Sequence, residues 1–229
     1  MVLSEELGGA APGHAMRIER ISAGTRGLTR LEVVVIVFGL VMLGLTLAPA
    51  LASAKRKGCK IQCANNLSQV GFAFRIWESN HGESVQTAIP AATNRVPAPN
   101  AMDVLQAMSN ELSTPYILYC PSDKRCRQAL GFDKHLTASN VSYFVDMTAD
   151  ESILDGILAG DDNFEIGGTP IETGLWEISS NTPIAWSADR HKFCGNVAMA
   201  DGSVQGFNNS MLRERLQSTN VTPMHLSIP

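Results

Sequence analysis

The sequence predicts an α+β protein in which one long N-terminal helix lies on an antiparallel β-sheet. Two observations predict the helix. Residues Val33 to Ala54 form 22 positions without a charge, and beyond them Ile61, Leu67, Val70, Phe74 and Trp77 fit one helical face. A third observation predicts the sheet. Two alternating runs, 196–200 and 203–207, flank an Asp201-Gly202 pair, a strong hairpin signal.

Composition bounds the function. The chain has 229 residues, 45% hydrophobic and only 17% charged, against about 25% charged in ordinary soluble domains. That is one ordinary domain plus an extra segment. Eighteen basic and 22 acidic residues give a net charge of -4 with no long basic run, which excludes an electrostatic nucleic-acid binder. The apolar content excludes disorder along the whole chain.

As a helix, the uncharged run spans about 33 Å, enough to cross a hydrocarbon core of about 30 Å. It is too long for a cleaved secretory peptide, whose apolar stretch is about 7–15 residues. It is also apolar on every face, unlike a helix in a small soluble core. Glu32, just after Arg30, stands at the lip of this run. A carboxylate there either caps the first turn or serves a function that repays its cost near a membrane. Charge does not fix the orientation, because Arg17, Arg20, Arg26 and Arg30 on one side balance Lys55, Arg56, Lys57 and Lys60 on the other.

Gly27-Leu28-Thr29-Arg30-Leu31-Glu32 and the apolar run after it resemble the processing signature of type IV pilins and type II secretion pseudopilins. The resemblance implies that a prepilin peptidase cuts between Gly27 and Leu28, that Leu28 is then methylated, and that Glu32 is the family's charge-pairing glutamate. It also implies an N-terminus in the cytoplasm and a single pass through a bacterial inner membrane. Gly27 suits a cut, since a residue without a side chain lets a protease approach the backbone. Pro49 falls where many pilins carry a helix-loosening proline. Arg30 departs from the pattern, which more often has an aliphatic residue there.

Four segments follow: a leader at 1–27, a membrane or filament-core helix at 28–54, its periplasmic continuation at 55–80, and an ectodomain at 81–229. Asn80, His81 and Gly82 stop the helix, with Gly82 suited to a left-handed C-cap. Residues 83–100, with three prolines, read as loop. Residues 102–112 read as helix, 116–120, 142–145 and 184–187 as strands, and Asn209-Ser210 as the cap of a short helix ending at Leu216.

His191 precedes Asp201-Gly202 by nine intervening residues, within HKFCGNVAMADGSVQGF. This is similar to the H-x9-DG segment near the C-terminus of a prepilin-associated, pilin-like group. SYFVDMTADE, LAGDDNF and the Cys-Pro corner YCPSD resemble other parts of the same group, and together they imply a pilin-like fold. Taken on its residues, His191 starts the hairpin and bonds to the backbone near Asp201 as a pin. The rival reading makes His191 and Asp201 a catalytic or metal pair, but no nucleophile motif, zinc helix or phosphate loop accompanies them.

Asp146, Asp150, Glu151, Asp155, Asp161 and Asp162 form an acidic stretch whose oxygens suit calcium, although the spacing is not that of an EF-hand. A solvated acidic loop is the plainer reading. Cys59, Cys63, Cys120, Cys126 and Cys194 contain no C-x-x-C pair, so one or two disulfides of undetermined connectivity are expected in an oxidising compartment.

The function implied by the resemblance is a non-enzymatic filament subunit. Its partners would be the prepilin peptidase, other pilin-like subunits, an inner-membrane assembly platform and membrane lipid. The competing reading is a periplasmic ligand-binding or enzymatic ectodomain for which the helix is only a tether.

Overall fold

The computed structural model describes residues 27–93, 100–133, 136–149, 153, 155–218 and 223–229. Residues 1–26, most of the expected leader, lie outside the described residues, and so do Asp150 and Glu151 of the acidic stretch and positions 94–99. The chain divides into two units, 1–48 and 49–229.

Helix α1 (Arg30–His81) begins in the first unit and ends in the second. Thr29 starts it, its carbonyl accepting the first intrahelical bond from the Val33 N–H at 3.1 Å. Every residue from Gly27 to Ala52 is exposed, although most are apolar. α1 is long and apolar enough to cross a membrane, and this run is a candidate span. Pro49 lies inside the helix and removes one backbone donor.

Further along α1, Cys63, Leu67, Val70 and Phe74 are buried. Steps of four, three and four keep them on one face. Ile61 was expected on that face but is 62% exposed. It precedes Leu67 by six residues, about 240° around the helix, and so points elsewhere. Gly82 ends α1 as expected, at φ +75° with its N–H donated to the Glu78 carbonyl.

Three short helices follow. α2 (Val85–Thr93) occupies much of the stretch read as loop. The Ser84 carbonyl accepts from the Thr87 and Ala88 N–H groups, and buried Val85 and Ile89 tie this helix to the core. α3 (Ala101–Ala107) opens on a reciprocal Asn100–Asp103 capping box. The predicted helix over 102–112 breaks at Met108, after which α4 (Ser109–Leu112) completes it. The strand expected at 116–120 is instead a 3-10 turn, Pro115–Leu118. Thr114 caps it, accepting from the Tyr116 N–H, and Pro115 presets its first φ. A run of β-formers lost here to local turn chemistry.

The remaining chain forms β1 (Tyr143–Asp146), β2 (Ile157–Asp161), β3 (Phe164–Ile166), β4 (Thr169–Pro170), β5 (Gly174–Ile178), β6 (Ile184–Trp186), β7 (Cys194–Met199), β8 (Val204–Asn208), α5 (Asn209–Ser218) and β9 (Met224–Ile228). Six strands pair antiparallel in the order β5-β9-β1-β2-β7-β8, and a smaller sheet runs β4-β3-β6. The last strand, β9, inserts between β5 and β1, with Val145 opposite Ser227 and Trp176 opposite Leu226.

The period of two divides the sheet's faces. Tyr143, Val145, Ala159, Ala198 and Ala200 join the core around Leu67, Val70 and Phe74 of α1. Phe144, Val197, Met199, Phe207, Leu226 and Ile228 join a second core with Trp186 of β6 and with Leu212 and Leu216 of α5. Gly71 and Ala198 allow close contact, since a Cβ at Gly71 would sit 3.2 Å from that of Ala198. The long helix on an antiparallel sheet is the α+β layout expected.

α5 is capped one residue earlier than expected. Asn208 Oδ1 accepts from the Met211 N–H at 2.9 Å, which frees Asn209 to accept from the Trp186 N–H at 2.7 Å. The cysteines resolve into a Cys63–Cys120 disulfide joining α1 to the segment after the 3-10 turn, with Cys59, Cys126 and Cys194 free.

Candidate functional site

At the N-terminal site, Thr29 and Glu32 form a reciprocal cap. The Thr29 N–H and hydroxyl donate to Glu32 Oε2 at 2.7 and 2.9 Å, and the Glu32 N–H donates to Thr29 Oγ1 at 3.3 Å. Gly27 and Leu28 are exposed beside it, and nothing lies within 4 Å of where a Gly27 Cβ would stand.

The C-terminal motif separates rather than converges. The Met199 N–H donates to the Ser203 carbonyl and the Gly202 N–H to the Met199 carbonyl, so Ala200, Asp201 and Gly202 form a three-residue turn. Gly202 takes φ +87°, and Asp201 is not left-handed as a two-residue turn would require. Asp201 Oδ1 accepts from the Ser203 N–H, while its carbonyl accepts from Arg75 Nη1 of α1 at 3.2 Å.

His191 lies before β7, at the other end of that strand from the turn. The expected bond from His191 to the backbone near Asp201 is therefore absent. The segment 187–193 folds back on itself, with the Phe193 N–H donated to the Ser187 carbonyl at 3.0 Å. Lys192 (φ 56°) and Phe193 (φ 61°) both adopt left-handed backbone to make the reversal. This puts Arg190 and His191 inside the protein, with side chains 1% and 2% exposed.

There they meet three carboxylates. Arg190 Nη2 lies 2.6 Å from Asp123 Oδ2 and bonds to Asp162 Oδ1, while Nη1 donates to the Ser142 carbonyl at 2.6 Å. Arg125 reaches the same cluster, donating to Asp123 and, at 3.0 Å, to Asp162. Asp161 Oδ2 accepts from the backbone and side chain of Asn196 at 2.7 and 2.9 Å. His191 Nε2 stands 3.5 Å from Asp161 Oδ2 and 3.5 Å from Cys120 Sγ of the disulfide.

Burial and charge pull these groups apart. Burial alone would raise Asp123, but Arg190 and the Arg125 hydrogen bonds outweigh it and hold the carboxyl at about 2. Burial raises Asp161 above the ordinary carboxylate value, although His191 and Arg190 oppose it. Burial lowers His191 against the pull of Asp161, with Arg190 and Lys60 adding to the fall, so the imidazole is neutral at pH 7.

Cys63 Sγ, Cys120 Sγ and His191 Nε2 lie within 4.8 Å of one another, the size of a metal-ligand set. The two sulfurs are bonded to each other, leaving one imidazole nitrogen as donor. The described members of the acidic stretch do not gather into one loop either. Asp146 is buried and accepts from Thr148, Asp155 is 85% exposed, and Asp161 and Asp162 belong to the arginine cluster. The solvated-loop reading therefore fails for Asp146, Asp161 and Asp162.

Sequence reasoning missed Arg190 and Asp123 as site residues. The signal was present: Asp123 closes YCPSD, Asp161 and Asp162 lie in LAGDDNF, and Arg190 precedes His191. Three separately noticed blocks meet at one cluster. No family model, curated protein or solved structure matches the chain.

Proposed function

We propose that this chain is a pilin-like subunit of a type II secretion or type IV pilus-like filament, anchored in a bacterial inner membrane with its C-terminal domain in the periplasm. The observation that carries the reading is the Gly27-Leu28 junction placed just before Glu32 and an uncharged run. The full exposure of residues 27–52 supports it, because so much apolar surface needs a bilayer or neighbouring helices to cover it. The long helix packed on an antiparallel sheet supports it as well.

In this account a prepilin peptidase removes residues 1–27 and Leu28 is methylated. Working with an inner-membrane assembly platform, the chains then pack helix against helix. Head-to-tail contacts that do not close make a helical filament. Glu32, capped by Thr29 but without a counter-ion among the described residues of its own chain, pairs with the free amine of a neighbouring Leu28, since a charge without a counter-ion among apolar helices is costly. The buried Arg190 cluster stabilises the ectodomain by joining three segments of chain, and no reaction is assigned to it.

The mature N-terminus tests the reading. Intact-mass measurement of membrane-extracted protein is expected to show a chain starting at methylated Leu28. A mature form that keeps residues 1–27, or one cut near Ala54, contradicts it.

A further inference from the structure

Beside residues 52–60 of α1 lies an open pocket of about 600 Å³, within the range of about 300–1,000 Å³ usual for small-ligand sites. Its walls come from three places in the sequence. α1 supplies Lys55, Lys57 and Lys60, the segment after the disulfide supplies Lys124, and the reversed 187–193 loop supplies Lys192. Asp189 is the one carboxylate in the lining. None of these five lysines ion-pairs with a carboxylate among the described residues. Arg190 also lines the pocket, and its buried Nε–H has no acceptor among the described residues.

We propose that this pocket binds the phosphate of an anionic phospholipid headgroup. The inference rests on reading residues 33–54 as a membrane span. Lys55 directly follows Ala54, the end of the uncharged run. At about 1.5 Å per residue, Lys60 stands about 9 Å further along the helix. The headgroup layer is about 5–8 Å deep on each side of the hydrocarbon, so Lys55 and Lys57, about 1.5 and 4.5 Å beyond Ala54, lie within it and Lys60 lies at its outer edge. Ala52 also lines it, within the uncharged run on the side where acyl chains begin. A plain basic tract beside a membrane would use lysines from one segment. Here Lys124 and Lys192 converge from more than 60 residues away, so the lysines face one open pocket from three segments of chain.

The test uses the full chain in detergent, titrated with phosphatidylglycerol or phosphatidylcholine and followed by native mass spectrometry. A lysine near an anionic surface contributes about 1 kcal/mol, or about fivefold in affinity. The wild-type chain is expected to prefer phosphatidylglycerol, and Lys124→Gln/Lys192→Gln to lose roughly 30-fold of its affinity. Both positions are exposed, so the variant is expected to keep its fold, and Lys55→Gln/Lys60→Gln is expected to give a comparable loss.

Equal retention of both lipids, or no change in either double variant, overturns the proposal. So does stabilisation by inorganic phosphate without any lipid preference, which would mark a free-anion site. A chain that is uncut at Gly27 but holds phosphatidylglycerol contradicts the filament reading and spares this one. A processed, polymerising chain with no lipid preference does the reverse.

Discussion

Thr29 and Glu32 cap each other, so the Glu32 carboxylate already has hydrogen-bond donors within its own chain. The sequence offered a cap on the first turn as one of two readings of Glu32, and the structure has that cap. In the proposed filament the cap would change the energetics of assembly. An amine on a neighbouring chain must compete with a local cap worth about 1 kcal/mol, rather than rescue a bare charge. Cleavage after Gly27 would also create the new amine at Leu28, the residue next to Thr29. Processing there would therefore fall beside the cap.

The Cys63–Cys120 disulfide closes a separation of 57 residues. In the chain-entropy model a loop of that size stabilises the fold by about 4 kcal/mol. Denaturant unfolding of Cys63→Ala/Cys120→Ala is expected to show a loss of roughly 3–5 kcal/mol. A loss below about 1 kcal/mol would mean that the bond holds little of the helix–domain contact.

Gly202 is left-handed at φ +87° in the turn between β7 and β8. A β-branched side chain resists that conformation, so Gly202→Val is expected to cost roughly 1–3 kcal/mol in thermal unfolding. Arg75 also crowds the site, since a Cβ there would lie 2.7 Å from its Nη1, but that flexible side chain can move aside. A variant as stable as wild type would show that the turn can change type without cost.

Acid stability depends on Asp123, whose carboxyl is held at about 2 in the fold. Its folded value is below its unfolded value, so its contribution is complete above the unfolded value and lost as pH falls toward about 2. Asp161 and Asp146, raised by burial, have the opposite sign and offset part of the loss in acid. Thermal melts of Asp123→Asn are expected to show lower stability at pH 7, with Arg190 deprived of a partner, and a flatter decline between about pH 4 and 2. An unchanged acid slope would place the proton uptake elsewhere.

The sequence made α1, its Gly82 stop and the β7–β8 hairpin legible, because each is written in local signals: period, cap and turn residue. β9 was not legible, since its five residues follow a short helix and find their partners β5 and β1 far back in the chain. Cys120 ends a segment that reads as strand but coils, because Thr114 and Pro115 decide its start. The H-x9-DG spacing suggested that His191 and Asp201 meet. It measures instead the strand between two independent features, an inward-turned loop and a tight turn. The arginine cluster was hidden because its carboxylates come from blocks that look like solvent-facing acids until the fold buries them.

Glu32→Ala tests the filament account most directly. Among the described residues the two cores contain none before Cys63, so folding of the C-terminal unit is expected to be unaffected. Membrane insertion is expected to be unaffected too, because the change makes the helix less polar. Assembly is expected to fail. Shearing and in-cell cross-linking of Glu32→Ala should yield processed, membrane-bound monomer and no polymer, while wild type yields polymer. Glu32→Ala chains that cross-link into multimers as well as wild type does would contradict the pairing and favour a helix that only tethers its domain.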